Sequence, residues 1–156
     1  MPEFTRELDE QMMARAIALA EDAAKLGEVP IAAVIYNAHS LVIAEAHNRR
    51  ELDQDPTAHA EILAIRAAAK ATGSWRLESL TLAVTLEPCA MCAGAIVLAR
   101  LPRLVYAASD PKAGACNSLM AITTDPRLNH RVTPITGVMA DQASAQLRAF
   151  FKTLRA

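Results

Sequence analysis

Long apolar runs are missing from these 156 residues. Hydrophobic residues make up 53% of the chain, yet charge interrupts every run well before the roughly 18 residues needed to cross a bilayer. The start, "MPEFTRELDE", lacks the basic end and apolar stretch of a secretory signal. Cysteine is scarce as well. Three are too few, and of the wrong parity, for a disulfide scaffold, which leaves metal or thiol chemistry in a reducing compartment. There is no charge excess: a net charge of −1 neither suggests nor excludes an anionic partner, because a basic patch can sit inside a balanced total. No repeat or linker divides the chain, and its length suits one core. The expectation is one soluble, cytoplasmic domain over 1–156.

Helix and strand patterns alternate along it. Residues 5–26 carry an amphipathic helix with a stripe of Met13, Ala16, Ile17, Ala20 and Ala24, ended by Gly27. "EVPIAAVIY" and "LVIAEA" are short and β-branched, and Asn37–Ser40 suits the turn of a hairpin. In "DPTAHAEILAIRAAAKATG", Asp55, Pro56 and Thr57 are start residues, alanine favours helix and Gly73 stops it. A strand at 81–85, a helix at 88–99 and a strand at 104–108 follow, then a loop with some short helix. "VTPITGV" suits a last strand that Pro134 confines to an edge, and a final helix covers about 141–155. These elements predict an α/β fold with a five-stranded mixed sheet.

The chemistry concentrates in "LEPCAMCAGAIVLAR", residues 86–100. On a helix, Cys89 and Cys92 share a face and reach a common point. Pro88 suits the first turn, and the positive helix end favours thiolate over thiol. Spacing alone fits a metal site and a thioredoxin-like redox pair equally well. "TAHAEIL" decides between them, with His59 two residues before Glu61. One imidazole and two thiolates supply three zinc ligands and leave a fourth position for water, a catalytic type of site in which the water's pKa falls to about 7. Glu61 is then a candidate proton shuttle. Two helix positions differ by about 200°, so His59 and Glu61 converge only at the helix N-terminus, where Asp55-Pro56-Thr57 puts them.

H-x-E followed by P-C-x-x-C is the zinc-deaminase signature. Beyond it, "DPTAHAEI", "VTLEPCAMCAGAIVLAR", "SDPKAGA" and "DPRLNHRV" resemble the bacterial tRNA-specific adenosine deaminases, which convert the wobble adenosine of an anticodon to inosine, and the likeness runs from "GEVPIAAV" to "LRAFF". The resemblance implies that His59, Cys89 and Cys92 hold one zinc per subunit and that Glu61 moves the protons while hydroxide attacks C6 of adenine. It further implies that Asn48 contacts the base, that Val29 walls the pocket, and that Asp110 and Asn129 touch neighbouring RNA. The implied architecture is a three-layer α/β/α sandwich of the cytidine deaminase type, in a homodimer that binds a tRNA anticodon loop. In the final helix Leu147, Phe150, Phe151 and Leu154 form an apolar stripe, with Arg148, Lys152 and Arg155 on another face. With Arg127, His130 and Arg131, that face is either a phosphate-contacting surface or a solvated one.

Two other functions stay open: a deaminase of free guanine or cytosine compounds, and a non-catalytic RNA-binding module in which Cys116 closes the zinc shell. Without that role Cys116 is a free thiol. His39 and His47 suit turn and strand ends, His130 suits packing as well as RNA, Trp75 a packing anchor, and Met12, Met13 and Met120 core or interface filler. Ala32 and Ala107 stand where the family has glycine, and Ala83 where it has an aromatic. A methyl at 32 either trims the pocket or packs silently.

Overall fold

The computed structural model describes residues 1–155. Its elements run α1 (Arg6–Lys25), β1 (Ala32–Tyr36), β2 (Val42–His47), α2 (Ala60–Thr72), β3 (Thr81–Leu86), α3 (Ala90–Leu98), β4 (Arg103–Ala108), a 3₁₀ turn (Ile122–Thr124), β5 (Ile135–Thr136) and α4 (Ala140–Arg155). The strands form one sheet in the order β2-β1-β3-β4-β5. β1 is antiparallel to both β2 and β3, whereas β3, β4 and β5 are parallel. The sheet is therefore mixed and five-stranded among the described residues, as its alternating pattern predicted.

Both faces of the sheet are covered, and strand periodicity divides the core accordingly. Ala33, Ile35, Leu82, Val84, Leu104 and Tyr106 point into the layer of α2 and α3. Val34, Tyr36, Ala83, Val105 and Ala107 point into the layer of α1 and α4. This is the three-layer sandwich. Among the described residues no helix is long and apolar enough to cross a membrane.

Several local expectations shift. The buried face of α1 is Leu8, Asp9, Met12, Met13, Ala16, Ala20 and Ala23, with Ile17 and Ala24 only half-buried. The face turns because Asp9, a charged residue, is part of it. Its carboxylate takes two hydrogen bonds from Arg103 (2.9 and 2.8 Å) and one from the Tyr36 hydroxyl (2.6 Å). Arg103 also donates to Thr81 Oγ1 and lies over the Phe4 ring. That cluster ties α1 to β1, β3 and β4 at the amino ends of the parallel strands.

Asp55 and Thr57 do not open α2. The Asp55 carboxylate accepts from the Thr57 backbone and hydroxyl (2.8 and 2.7 Å), a self-contained turn, and the N-cap is His59. Pro88 likewise precedes α3, whose N-cap is Cys89, because its carbonyl accepts from the Ala115 N–H (2.8 Å). Trp75 is no packing anchor: it is 57% exposed, with the Arg76 and Arg100 guanidinium groups 4.8 and 5.8 Å from its ring. The apolar stripe of α4 is buried only in part. Leu147 and Phe150 are half-buried, while Phe151 and Leu154 are exposed, since the helix runs past its contacts with β4 and α1. His130 packs, its Nε2 2.7 Å from the Leu101 carbonyl.

Removing one partner of a buried ion pair leaves the other charge uncompensated. Asp9→Asn should therefore lower stability by about 2–4 kcal/mol, the lower half of that range reflecting the partial exposure of Arg103. The urea unfolding midpoint reads this, and an unchanged midpoint would deny the cluster its role.

Candidate metal centre

The donor groups come from two helix starts. His59 is the N-cap of α2 and Cys89 the N-cap of α3, so both side chains stand at helix starts. Cys92, one turn into α3, comes to the same side. The His59 Nδ1 is 3.5 Å from the sulfur of Cys89 and 3.5 Å from that of Cys92, and the three donor atoms lie within 4.8 Å of one another. Tetrahedral zinc, with bonds of about 2.3 Å to sulfur and about 2.0 Å to nitrogen, separates sulfur from nitrogen by roughly 3.5 Å. The residues present fit the ion.

Without an ion the three donors share protons among themselves, and binding a metal would release them. The Cys89 thiol is pulled down to about 3 by the hydrogen bond from Cys92, and further by His59, against the opposing effect of burial. Cys92 moves up, as the donor in that bond and a buried group, and the bond to Cys89 also raises His59. Cys116 lies apart from the donor group among the described residues. It is a buried free thiol that burial pushes up to about 12.

Glu61 sits in the first turn of α2, 4% exposed, where burial raises its carboxyl to about 7. It shares the wall of a cavity of ≈ 290 Å³ with His59 and Cys89. This is close to the small end of ligand pockets, about 300–1,000 Å³. The cavity opens at the carboxyl ends of β3 and β4. Val29 and Asn48 line it, and Asn48 is held at both ends of its amide: Nδ2 donates to the Val29 carbonyl (3.3 Å) and Oδ1 accepts from the Arg50 N–H (3.1 Å). Asp110 is also on the wall, but its Oδ1 accepts from Lys112 and Ala113 of its own loop. Asn129 is exposed on the loop after the 3₁₀ turn and is not among the lining residues. Ala32 is fully buried, its N–H bonded to Thr85 Oγ1 (3.2 Å), and it too is outside the lining. Ala83 and Ala107 pack in the α1 layer.

Four residues here carry weight that periodicity does not reveal. Glu28, fully buried, takes the backbone N–H groups of Glu51 and Leu52 (3.0 and 3.1 Å) and so pins the loop after β2. Glu87 takes those of Asp110, Cys116, Asn117 and Ser118 and the Ser118 hydroxyl, folding the loop after β4 around one carboxylate. Burial works to raise Glu87, but the bonds from Ser118, Asp110 and Asn117 outweigh it and hold it below the usual carboxylate range. Arg50 and Phe151 reach the cavity wall from the loop and from α4. The only signal for the two glutamates is a lone carboxylate beside an apolar strand, as in "TLAVTLEPC" and "GEVPIAAV".

A family model described as MafB19-like deaminase matches residues 7–155. The chain belongs to this deaminase family. Among its relatives in the family, the tRNA-specific adenosine deaminase of Bacillus subtilis (strain 168) is 48% identical over 147 residues, covering 94% of this chain and 91% of its own. A solved structure from studies of A-to-I editing by tRNA:A34 deaminases at the wobble position of transfer RNA superposes with a TM-score of 0.83 at 41% identity, covering 87% of this chain and 98% of its own. A guanine deaminase from Nitrosomonas europaea superposes at 0.78 with 27% identity, over 90% and 83%. The deaminase resemblance read from the motifs is borne out, and so is the fold.

Gly114 passes so close to the Glu87 carboxylate that a Cβ there would overlap it. Gly114→Ala should cost about 1–3 kcal/mol through overpacking, seen as a lower thermal unfolding midpoint. An unaltered midpoint would mean that the loop has room to move.

Proposed function

We infer that this chain hydrolyses adenosine to inosine at the wobble position of a tRNA anticodon loop. The observation that carries the inference is a donor triad of zinc dimensions sharing a base-sized cavity with a buried carboxyl group, in a chain whose nearly half-identical relative bears that activity in its name. Zinc held by His59, Cys89 and Cys92 would supply, when bound, hydroxide at neutral pH and a Lewis-acid contact for the added oxygen. Glu61 takes the proton of the attacking water and passes it to the ring. It then serves the exocyclic amine, so that the C6–N bond breaks and ammonia leaves. Asn48, locked by Val29 and Arg50, presents its amide to the base edge, and Val29 and Leu86 give the ring an apolar seat.

A polynucleotide is favoured over a free purine by two features: the greater likeness to the tRNA:A34 deaminase structure, and the approach of α4, with its exposed Lys152 and Arg155, to the cavity mouth. An adenine inside a duplex cannot present C6 to a buried site, so a loop base that flips out is the suitable substrate. Purified zinc-loaded protein should release inosine from an anticodon stem-loop bearing adenosine at the wobble position, read by mass spectrometry of the digested RNA. Glu61→Ala should retain its metal and lose turnover by about 100-fold or more. Full zinc occupancy without inosine would defeat the assignment, and substantial activity in Glu61→Ala would defeat the proton role.

The same reading includes a homodimer. Leu98 (69% exposed) at the end of α3 and Leu119 and Met120 just before the 3₁₀ turn are exposed apolar side chains that a second copy would cover. Sedimentation should give twice the 16.7 kDa chain mass, and Leu98→Asp should shift the protein toward the monomer. A monomer at micromolar concentration would remove this part.

A further inference from the structure

Arg50 has no part in the chemistry described above, yet it is on the wall of the same cavity. Among the described lining residues it is the one lysine or arginine. The other charged groups of the wall are occupied or enclosed. Glu87 is saturated by its five hydrogen bonds, the Asp110 carboxylate is turned to its own loop, and Glu61 is buried at the base of the cavity. Arg50 is exposed at the mouth, and the acidic partner recorded for it is Glu51 at 3.8 Å, with both side chains more than half exposed. A pair that long and that wet is worth little, so the guanidinium charge is available to a ligand. Its neighbour Arg49 differs: it meets both carboxylate oxygens of Asp53 (3.1 and 3.1 Å) and is spoken for.

The placement of Arg50 is built into the loop. Its N–H is held by Asn48 Oδ1, its carbonyl accepts from Asp55 (3.1 Å), and the next two N–H groups are held by the buried Glu28 carboxylate. Arg49 closes the loop through the Ala58 carbonyl (3.0 Å), one residue before His59. The backbone that carries the guanidinium is thus tied to the residue that would grip the base and to the one that would grip the metal.

We propose that Arg50 is a substrate-binding residue of the cavity mouth: it takes a backbone phosphate adjoining the nucleotide whose base enters the cavity. A guanidinium fork matches phosphate oxygens in geometry as well as charge. A free purine offers it nothing, so the contact would discriminate polynucleotide from nucleobase. The proposal rests on the deaminase function assigned to the same cavity, and direct binding separates the two.

The test measures affinity of the zinc-loaded full chain for a labelled anticodon stem-loop over a series of potassium chloride concentrations, in a Glu61→Gln background so that the loop is not consumed. Neutralising one phosphate contact flattens the plot of log affinity against log salt by about 0.7–1. Arg50→Gln should show that flattening with several-fold weaker binding. Arg50→Lys, which keeps the charge, should keep most of the slope, and Arg6→Gln, at the far end of the sheet, should keep all of it. An unchanged slope in Arg50→Gln overturns the proposal, as does an equal loss in Arg50→Lys, which would mark a loop defect. Should the unmodified enzyme form no inosine while the slopes behave as expected, the phosphate contact stands and the deaminase assignment falls.

Discussion

Two helices that begin within bonding distance of each other are the constraint on which the rest depends. Imidazole and sulfur atoms meet at 3.5 Å only because α2 and α3 start side by side on one face of the sheet, each with a ligand at its N-cap. The start of α3 is set by β3, which delivers Pro88 and Cys89 directly from a buried strand. The start of α2 is set by packing. Its buried stripe is Ala60, Ala64 and Ala68, all fully enclosed, and three methyl groups let the helix axis lie close over β1 and β2. Larger side chains there would lift the helix and carry His59 away from the sulfurs, so the alanine-rich composition of this segment serves the site as much as the helix.

Much of this was legible in the residues. Short β-branched runs such as "AAVIY" and "TLAVT" marked strands, and the three-residue step of the cysteines and the two-residue step from His59 to Glu61 marked a common end of two helices. Boundaries were read less well for a physical reason. Asp, Pro and Thr satisfy backbone donors in turns as readily as at caps, so Asp55 and Thr57 closed a turn of their own and left the cap to His59. Buried charge was harder still. Asp9, Glu28 and Glu87 are polar by type and fully enclosed in fact, because each meets donors distant in sequence: Arg103, the backbone after Arg50, and the loop from Asp110 to Ser118. Nothing in local pattern announces a partner 94 or 31 residues away. Trp75, expected as a packing anchor, stands exposed between Arg76 and Arg100.

The buried carboxylates divide the molecule into a chemical centre and adjustable surroundings. The triad and Glu61 sit on or at the start of regular elements whose geometry the core fixes. What encircles the opening comes from three separate segments: the loop of Arg50, the loop of Asp110 and the last turns of α4 with Phe151. Each has its own anchor, Glu28 for the first, Glu87 for the second and the packing of Ala143 for the third. Because the first two anchors rest on backbone contacts to buried acids, side chains on the two loops can change without moving His59, Cys89 or Cys92. The residues of this rim lie outside the H-x-E and P-C-x-x-C motifs. At that opening Arg50, Asp110 and Phe151 set a cation, an acid and an aromatic ring around one cavity, whereas its inner end is formed by groups that the buried core holds in place.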